Sequence, residues 1–354
     1  MFFRNAGKVT TTYEQDQALF PLRMDRALIL IILTVGGVVL PLLANNYWLG
    51  SILLPFLILS LAAIGLNILT GYAGQLSLGS GAFMAVGAYA AANLIMRLPG
   101  LPFPVALLLA GLVSGLICMM FGLLSLRIRG LYIVVATLAA QFMIEWICTH
   151  IPWLYMYNQS GIISTPALSW LGIEIATVPA RYMTAFITVM LLTLLAKNLV
   201  RSSEGRSWIA IRDHEVAGAL TGISVVRAKL SAFAVSGFFC GVSGALWSFL
   251  YLGTIDIETF TLHRSFQILF MVIIGGMGSI LGAFLGAAFI VLLPVALSNL
   301  ANLAGGAIRP DTLANIELMI FGGLIIAFLI IEPRGLAQLA SRTRQRLRRW
   351  PLPY

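Results

Sequence analysis

Charge is scarce in this sequence. Only 10% of its 354 residues are Asp, Glu, Lys or Arg, against about 25% in soluble globular domains. With 60% apolar residues and a mean hydropathy of +0.96, the chain could not cover a water-facing surface with polar groups. That excludes a soluble domain and leaves a polytopic membrane protein. Lysine is scarcer still: Lys8, Lys197 and Lys229 are the only three, and none sits in GK[ST], so this chain has no phosphate-binding P-loop. Three cysteines, Cys118, Cys148 and Cys240, lie in apolar runs without CxxC spacing. They read as small buried hydrophobes and say nothing about redox compartment. Three histidines, His150, His214 and His263, are far apart, so neither a metal site, a catalytic constellation nor a cofactor is expected.

Ionisable groups inside the apolar runs are nearly absent. Glu145 falls near the outer end of its run beside Trp146, and Glu317 near the start of the last one. Asp256, Glu258, His263 and Arg264 read as a short outer loop. An ion-coupled carrier needs buried Asp, Glu or His along its route, and Glu145 is the one residue that could serve. A membrane-embedded enzyme would need a cluster of Asp, Glu, His or Ser at catalytic spacing, which the chain lacks.

What the chain has is long apolar runs. At about 20 helical residues per crossing, candidate spans are 27–44, 48–70, 81–97, 104–126, 131–149, 181–200, 230–252, 265–275, 280–301 and 315–332. The expected fold is therefore all-α and polytopic, with about ten transmembrane helices, the first of them an uncleaved span rather than a signal peptide. The net charge of +9 is uneven: six of the 22 basic residues lie at or beyond Arg334, and 151–180 contains none. That is a positive-inside pattern. It places both termini, Arg127, Arg129 and the loop 201–229 in the cytoplasm. It places 151–180, with Trp153, Tyr155, Tyr157 and Trp170 as interfacial aromatics, outside. The domains read as a cytoplasmic tail 1–26, a membrane domain 27–333 and a basic cytoplasmic tail 334–354. The basic tail suits anionic lipid headgroups better than nucleic acid.

Two places break the lipid-helix pattern. "GYAGQLSLGSGAFMAVGAY", Gly71–Tyr89, holds five glycines, a Gln and two serines in nineteen residues. "VIIGGMGSILGAFLGAAF", Val272–Phe289, follows a run of about 11 residues, roughly 16 Å of helix and half a bilayer. Each break leads into a GAF triplet, Gly81-Ala82-Phe83 and Gly282-Ala283-Phe284, a hint of internal duplication. Irregular backbone at membrane depth must be buried in protein or line a wet cavity, and paired interrupted segments point to a translocation site. Close helix packing explains Gly81–Tyr89 and Gly282–Gly286. It does not explain the side chains of Gln75, Ser77 and Ser80. A path for a polar solute does, and it would comprise Tyr72, Gly74, Gln75, Ser77, Gly79, Ser80, Gly275, Gly276 and Gly278.

The polar stretch Arg201–Leu230 carries Trp208, Ile211, Glu215, Ala219 and Gly222 at spacings of three or four. A helix of about two turns is expected after Asp213, stopping at Gly222. It would lie flat on the membrane or dock into a groove of a soluble partner.

Taken in order, "GYAGQLSLGSGAFMAVGAY", "GRSWIAIRDHEVAGALTGI", "KLSAFAVSGFFCGVSGAL", "GGMGSILGAFLGA" and "EPRGL" resemble the LivM-type permease subunit of branched-chain amino acid ABC importers, over roughly residues 48–340. Relatives in that group carry other hydrophobic amino acids, urea or short amides. The resemblance implies an ABC importer permease fold in a bacterial inner membrane. It implies a LivH-type companion permease, two cytoplasmic ATPase subunits and a periplasmic solute-binding protein. The permease would not itself be an enzyme, since ATP would be hydrolysed on the partner subunits. The importer coupling pattern of Glu, Ala and a later Gly maps onto Glu215, Ala217 and Gly222, with Arg212 and Asp213 just before. One departure bears on the solute and on binding-protein docking: the glycine-rich outer-loop stretch of relatives, TGG-x-x-G, is reduced here to Ser160-Gly161-Ile162.

Overall fold

The computed structural model of the chain describes residues 30–303, apart from 32, 99, 126–131, 159, 167–168, 171–172 and 176. It also describes 316, 319–320, 322–323, 326, 335–339 and 341–342. The expected tail 1–26, Arg127, Arg129, Glu317 and most of the basic C-terminal tail lie outside the described residues.

The longer helical segments follow in order. They are α1 (35–43), α2 (Trp48–Tyr72), α3 (Ser80–Arg97), α4 (Phe103–Ser125), α5 (Tyr132–His150), α6 (Val178–Arg201), α7 (Ser203–Asp213), α8 (Glu215–Leu220), α9 (Val225–Leu252), α10 (Leu262–Gly275) and α11 (Ile280–Leu303). Short strands join them on one side: β1 (Ile163–Ser164) pairs antiparallel with β4 (Thr254–Ile255), and β2 (Ser169–Trp170) with β3 (Ile173–Glu174). Local chemistry sets several ends. Pro179 stands in the first turn of α6, where a missing N–H costs nothing. Ser202 takes its hydroxyl to the Leu199 carbonyl and accepts from Gly205 N–H, closing α6 and opening α7. Ser224 caps α9 in the same way.

Seven helices among the described residues are long and apolar enough to cross a membrane: Trp48–Tyr72, Phe103–Leu124, Tyr132–His150, Val178–Arg201, Val225–Leu252, Ile257–Gly275 and Ile280–Asn299. The chain is thus an all-α multi-pass membrane protein, and the count of ten is not reached. Of the other three expected spans, 81–97 forms the helix α3, which is not among the seven. Stretch 27–44 is described from residue 30 apart from 32 and holds α1, and 315–332 lies largely outside the described residues.

The core is built on two helices. In the most apolar stretch of α2, 89% of residues are buried, and in α9, 83%; the other five candidate spans lie at 28–39%. Helices apolar all round are either central or lipid-facing, and this difference separates the two kinds. Small residues on α9 bring its neighbours in to backbone contact. Gly87 of α3 lies against the backbone of Gly241, Gly244 against the Met84 carbonyl, and Gly237 against Ser114 and Cys118 of α4. Buried hydroxyls add ties: Ser243 to the Ile58 carbonyl at 2.7 Å and Ser114 to the Phe83 carbonyl at 2.8 Å. Cys118, Cys148 and Cys240 are buried and free, at home among apolar side chains.

One sequence expectation needs correction here. The run before the second break is not an 11-residue half-span, because His263 and Arg264 belong to the helix. α10 has 14 residues, and with the 3-10 turn Ile257–Phe260 ahead of it the span reaches 19. The Arg264 guanidinium is accommodated inside the protein by Gln267 Oε1 at 2.6 Å, the Thr259 carbonyl at 3.3 Å and the face of Trp247 at 4.4 Å.

Candidate functional site at two glycine-rich helix breaks

α2 does not end as an ordinary helix. Its last turn, Ile68–Tyr72, is a π turn. Gly74 then takes a left-handed conformation, φ 70°, which returns Gln75 N–H to the Leu69 carbonyl at 2.9 Å. The chain stays unwound from Ala73 to Gly79 before α3 begins at Ser80. The second break, between α10 and α11, is shorter: Gly276 (φ 111°) and Gly278 (φ 77°) turn the chain within a few residues.

The two breaks meet at one end. Asn67 Nδ2 donates to the Ser279 carbonyl and its Oδ1 accepts from Gly278 N–H, both at 2.8 Å. Gly71 lies directly against Gly278 and Asn67, leaving no room for a side chain. Gly335, in the "EPRGL" motif, packs on Gly276: a Cβ there would come within 2.6 Å of Gly276 N. Arg212 reaches in from the end of α7, its Nη1 donating to the Gly71 carbonyl at 2.7 Å. Tyr72, buried, closes the π turn beside this cluster.

The far end of the first break is a different place. Ser80 starts α3 near the start of α10, so α10 itself, about 21 Å long, separates it from Gly275. There the N–H groups that open α3 are claimed by neighbouring helices. Gly81 N–H donates to Ser265 Oγ at 2.7 Å and Ala82 N–H to Gln141 Oε1 at 2.7 Å. Gln141 Nε2 donates to the Phe260 carbonyl at 2.8 Å and to Glu145 Oε1 at 2.7 Å. Leu78 N–H donates to Thr137 Oγ1 at 3.0 Å. The helix N-terminus is therefore already satisfied and does not present free donors to an anion.

The predicted path residues thus divide. Gly74, Gly276 and Gly278 join the Arg212–Asn67 cluster. Gly275 packs against the Gly282 carbonyl, and Gly286 against that of Met271, so the second break is a backbone-to-backbone hairpin. Gly79 sits on the Thr137 carbonyl and the Phe83 ring, and Ser77 Oγ accepts from Gly79 N–H at 3.3 Å. Gln75 and Ser80 stand apart. They are 8% and 1% exposed, yet Gln75 Oε1 and Ser80 Oγ have no hydrogen-bond partner among the described residues. Such atoms carry a desolvation cost until something pairs with them. A cavity of about 950 Å³ lies elsewhere, between α3, α4 and α5 near Asn93 and Ile144, and touches none of the predicted path residues.

Of the predicted coupling residues, Arg212 faces the breaks and also holds Asp213 Oδ1 at 2.9 Å. Glu215 pairs with Lys229 of α9 at 3.0 Å. Gly218 of α8 packs on Ile211 of α7, and Trp208 is anchored by Nε1 donating to Ser231 Oγ at 2.9 Å. Ala217 is exposed, as are Val216 (76%) and Leu220 (84%). Gly222, φ 86°, closes a Schellman cap: Ile223 N–H returns to the Gly218 carbonyl and Gly222 N–H to that of Ala219. α7 and α8 are two helices, not one, because His214 is extended at φ −152° between them.

Sequence reasoning missed Asn67, Thr137, Gln141, Ser265 and Gly335. For two of them a signal existed: Thr137, Gln141 and Glu145 recur at i, i+4 and i+8 along one face of an apolar helix. Asn67 and Ser265 are single polar residues in apolar runs, and nothing local announces that they reach across the fold.

These features define a class: a multi-pass helical membrane protein with two interrupted helices in contact and a short exposed helix tied to them. The model of the family described as branched-chain amino acid transport system / permease component matches residues 48–329, and the chain belongs to that family. It is similar to the high-affinity branched-chain amino acid transport system permease protein LivM of Salmonella typhimurium, 29% identical over 296 residues, and to that of Escherichia coli, 28% identical over 296 residues. Each match covers 77% of this chain and 66% of the relative, so the chain spans just under two thirds of their length. A probable branched-chain amino acid transport permease protein LivM of Methanocaldococcus jannaschii is 26% identical over 330 residues, covering 81% of this chain and 92% of that protein. No solved structure matches the chain.

Proposed function

We propose that the chain is the transmembrane permease subunit of an ATP-binding cassette importer for branched-chain or other hydrophobic amino acids. It works with a LivH-type companion permease, two cytoplasmic ATPase subunits and a periplasmic solute-binding protein. It performs no chemistry itself. It sits in the inner membrane with both termini and the 201–229 loop in the cytoplasm; the membrane domain covers 27–333, between the tails 1–26 and 334–354. The observation that carries this reading is α8. In a polar loop, a six-residue helix exposes Val216 and Leu220 while Glu215–Lys229 and the α7 packing hold it in place. A rigid exposed apolar face suits insertion into a groove on a partner. Loaded binding protein releases solute towards Gln75 and Ser80, and partner closure displaces α8 to reverse access.

Glu215→Lys sets two lysines against each other, and Gly222→Asp strains a left-handed position. Both variants are expected to insert normally and to lose at least about tenfold in ATPase subunits retained on co-purification. Normal retention in both would remove α8 from the docking role. A second reading, urea or short amides as cargo, stays open because the outer loop departs from that of relatives, with Gly161 (φ 69°) two residues before β1. Binding measurements on the partner binding protein with leucine and with urea separate the two.

A further inference from the structure

We propose that Arg212 is the positioning residue that connects the docking helix α8 to both helix breaks. The inference rests on the reading of α8 as the partner-docking helix and concerns how its displacement reaches the membrane.

Arg212 lies in the last turn of α7, one helix before α8, yet its side chain leaves the loop. Nη1 donates to the Gly71 carbonyl at 2.7 Å, at the C-terminal end of α2. A cation is favoured at that end of a helix, where carbonyls lack intrahelical partners. The stem lies on Gly74, where an added Cβ would stand 2.7 Å from Arg212 Cγ. Gly74 therefore does two things: it turns the chain at φ 70° and it seats this arginine. Asp213 Oδ1 holds Nε at 3.0 Å and Nη2 at 2.9 Å, which fixes the plane of the guanidinium.

One turn back along α2, Asn67 grips Gly278 and Ser279 of the second break. A continuous set of contacts therefore runs from the hinge before α8 to the second break: Arg212 hydrogen-bonds the Gly71 carbonyl, Gly71 packs on Asn67 and Gly278, and Asn67 hydrogen-bonds Gly278. The hinge end is joined to α8 by Gly218, which packs on Ile211 of α7. The Arg212–Asp213 pair is 36% and 56% exposed, and exposed ion pairs add little stability. Its effect is to aim the guanidinium at Gly71.

The test uses the complete transporter, with companion permease, ATPases and binding protein, in proteoliposomes supplied with leucine. Uptake and ATP hydrolysis are measured in the same vesicles, with ATPase retention measured beside them. Arg212→Gln is expected to retain the ATPases while uptake per ATP hydrolysed falls at least about fivefold, a usual size for coupling between sites. Arg212→Lys, which keeps a donor for Gly71, recovers part of the loss. Gly74→Ala, which displaces the stem, lowers the same ratio. An unchanged ratio in Arg212→Gln overturns the proposal, as does loss of the ATPases from that variant, which would make Arg212 a docking residue. If the wild-type chain itself retains no ATPases, the reading of α8 fails instead.

Discussion

The two breaks look alike in sequence and differ in structure. Both are glycine-rich, both interrupt apolar runs, and both lead into a GAF triplet. Between α10 and α11 the glycines let two backbones touch: Gly275 meets the Gly282 carbonyl and Gly286 that of Met271. Between α2 and α3 the chain is unwound from Ala73 to Gly79, and Gln75 within it and Ser80 at the start of α3 each carry a buried polar atom without a partner among the described residues. Glycine alone does not mark a path through a membrane. What sets the first break apart from the second is buried hydrogen-bonding capacity with no partner among the described residues, which carries a cost in a low-dielectric interior.

The largest effect expected from this contrast is at the second break. Gly286→Val puts a branched side chain into the Met271 carbonyl, and overpacking of this kind costs about 3 kcal/mol. Thermal unfolding in detergent and the yield of folded protein should both drop sharply. A Gly286→Val protein of normal stability would mean that α10 and α11 separate freely, and the hairpin would then be a moving part like the first break.

Gln75→Leu probes the other side of the comparison, with the opposite signature. Since Gln75 Oε1 has no partner among the described residues, the contact given up there is the weak 3.5 Å one of Nε2 with the Ala73 carbonyl. Abundance and melting temperature should stay close to wild type. Uptake per subunit should fall about tenfold, the size of one hydrogen bond to a charged group. Equal uptake per subunit would return Gln75 to a packing role and make the two breaks equivalent.

The sequence made the fold class legible because lipid imposes a simple rule on composition and run length. It also located both breaks and the two-turn helix after Asp213, since Gly, Gln and Ser stand out against Leu and Ile, and Gly222 is a local stop signal. The join between the breaks was not legible. Asn67 and Gly278 are separated by 211 residues, and no local period encodes that contact. Nor was the direction of Arg212. An arginine in a polar loop reads as a solvated charge, and its reach to Gly71 depends on Gly74 being bare. The length of α10 was misread for a related reason: Arg264 looks like a loop residue until Trp247 and Gln267 are seen around it.

The smallest effect expected is at Glu145, and it decides between two ways of powering the first break. Glu145 is the acidic residue hydrogen-bonded into this polar network, and an ion-coupled carrier would depend on its charge. In the structure its Oε1 accepts from Gln141 Nε2 at 2.7 Å, and Gln141 in turn holds Ala82, Phe260 and Ser265. That makes Glu145 an acceptor that orients an amide, a task a second amide performs as well. Glu145→Gln keeps an oxygen in the same place and removes only the charge. Uptake should therefore stay within about twofold of wild type, since replacing one hydrogen-bond acceptor by another changes little, and its pH dependence should not shift. A large loss in Glu145→Gln, with ATP hydrolysis by the partners unaffected, would place the driving ion in the chain itself. The unwound stretch 73–79 would then belong to an ion-coupled carrier and not to a subunit moved from outside through α8.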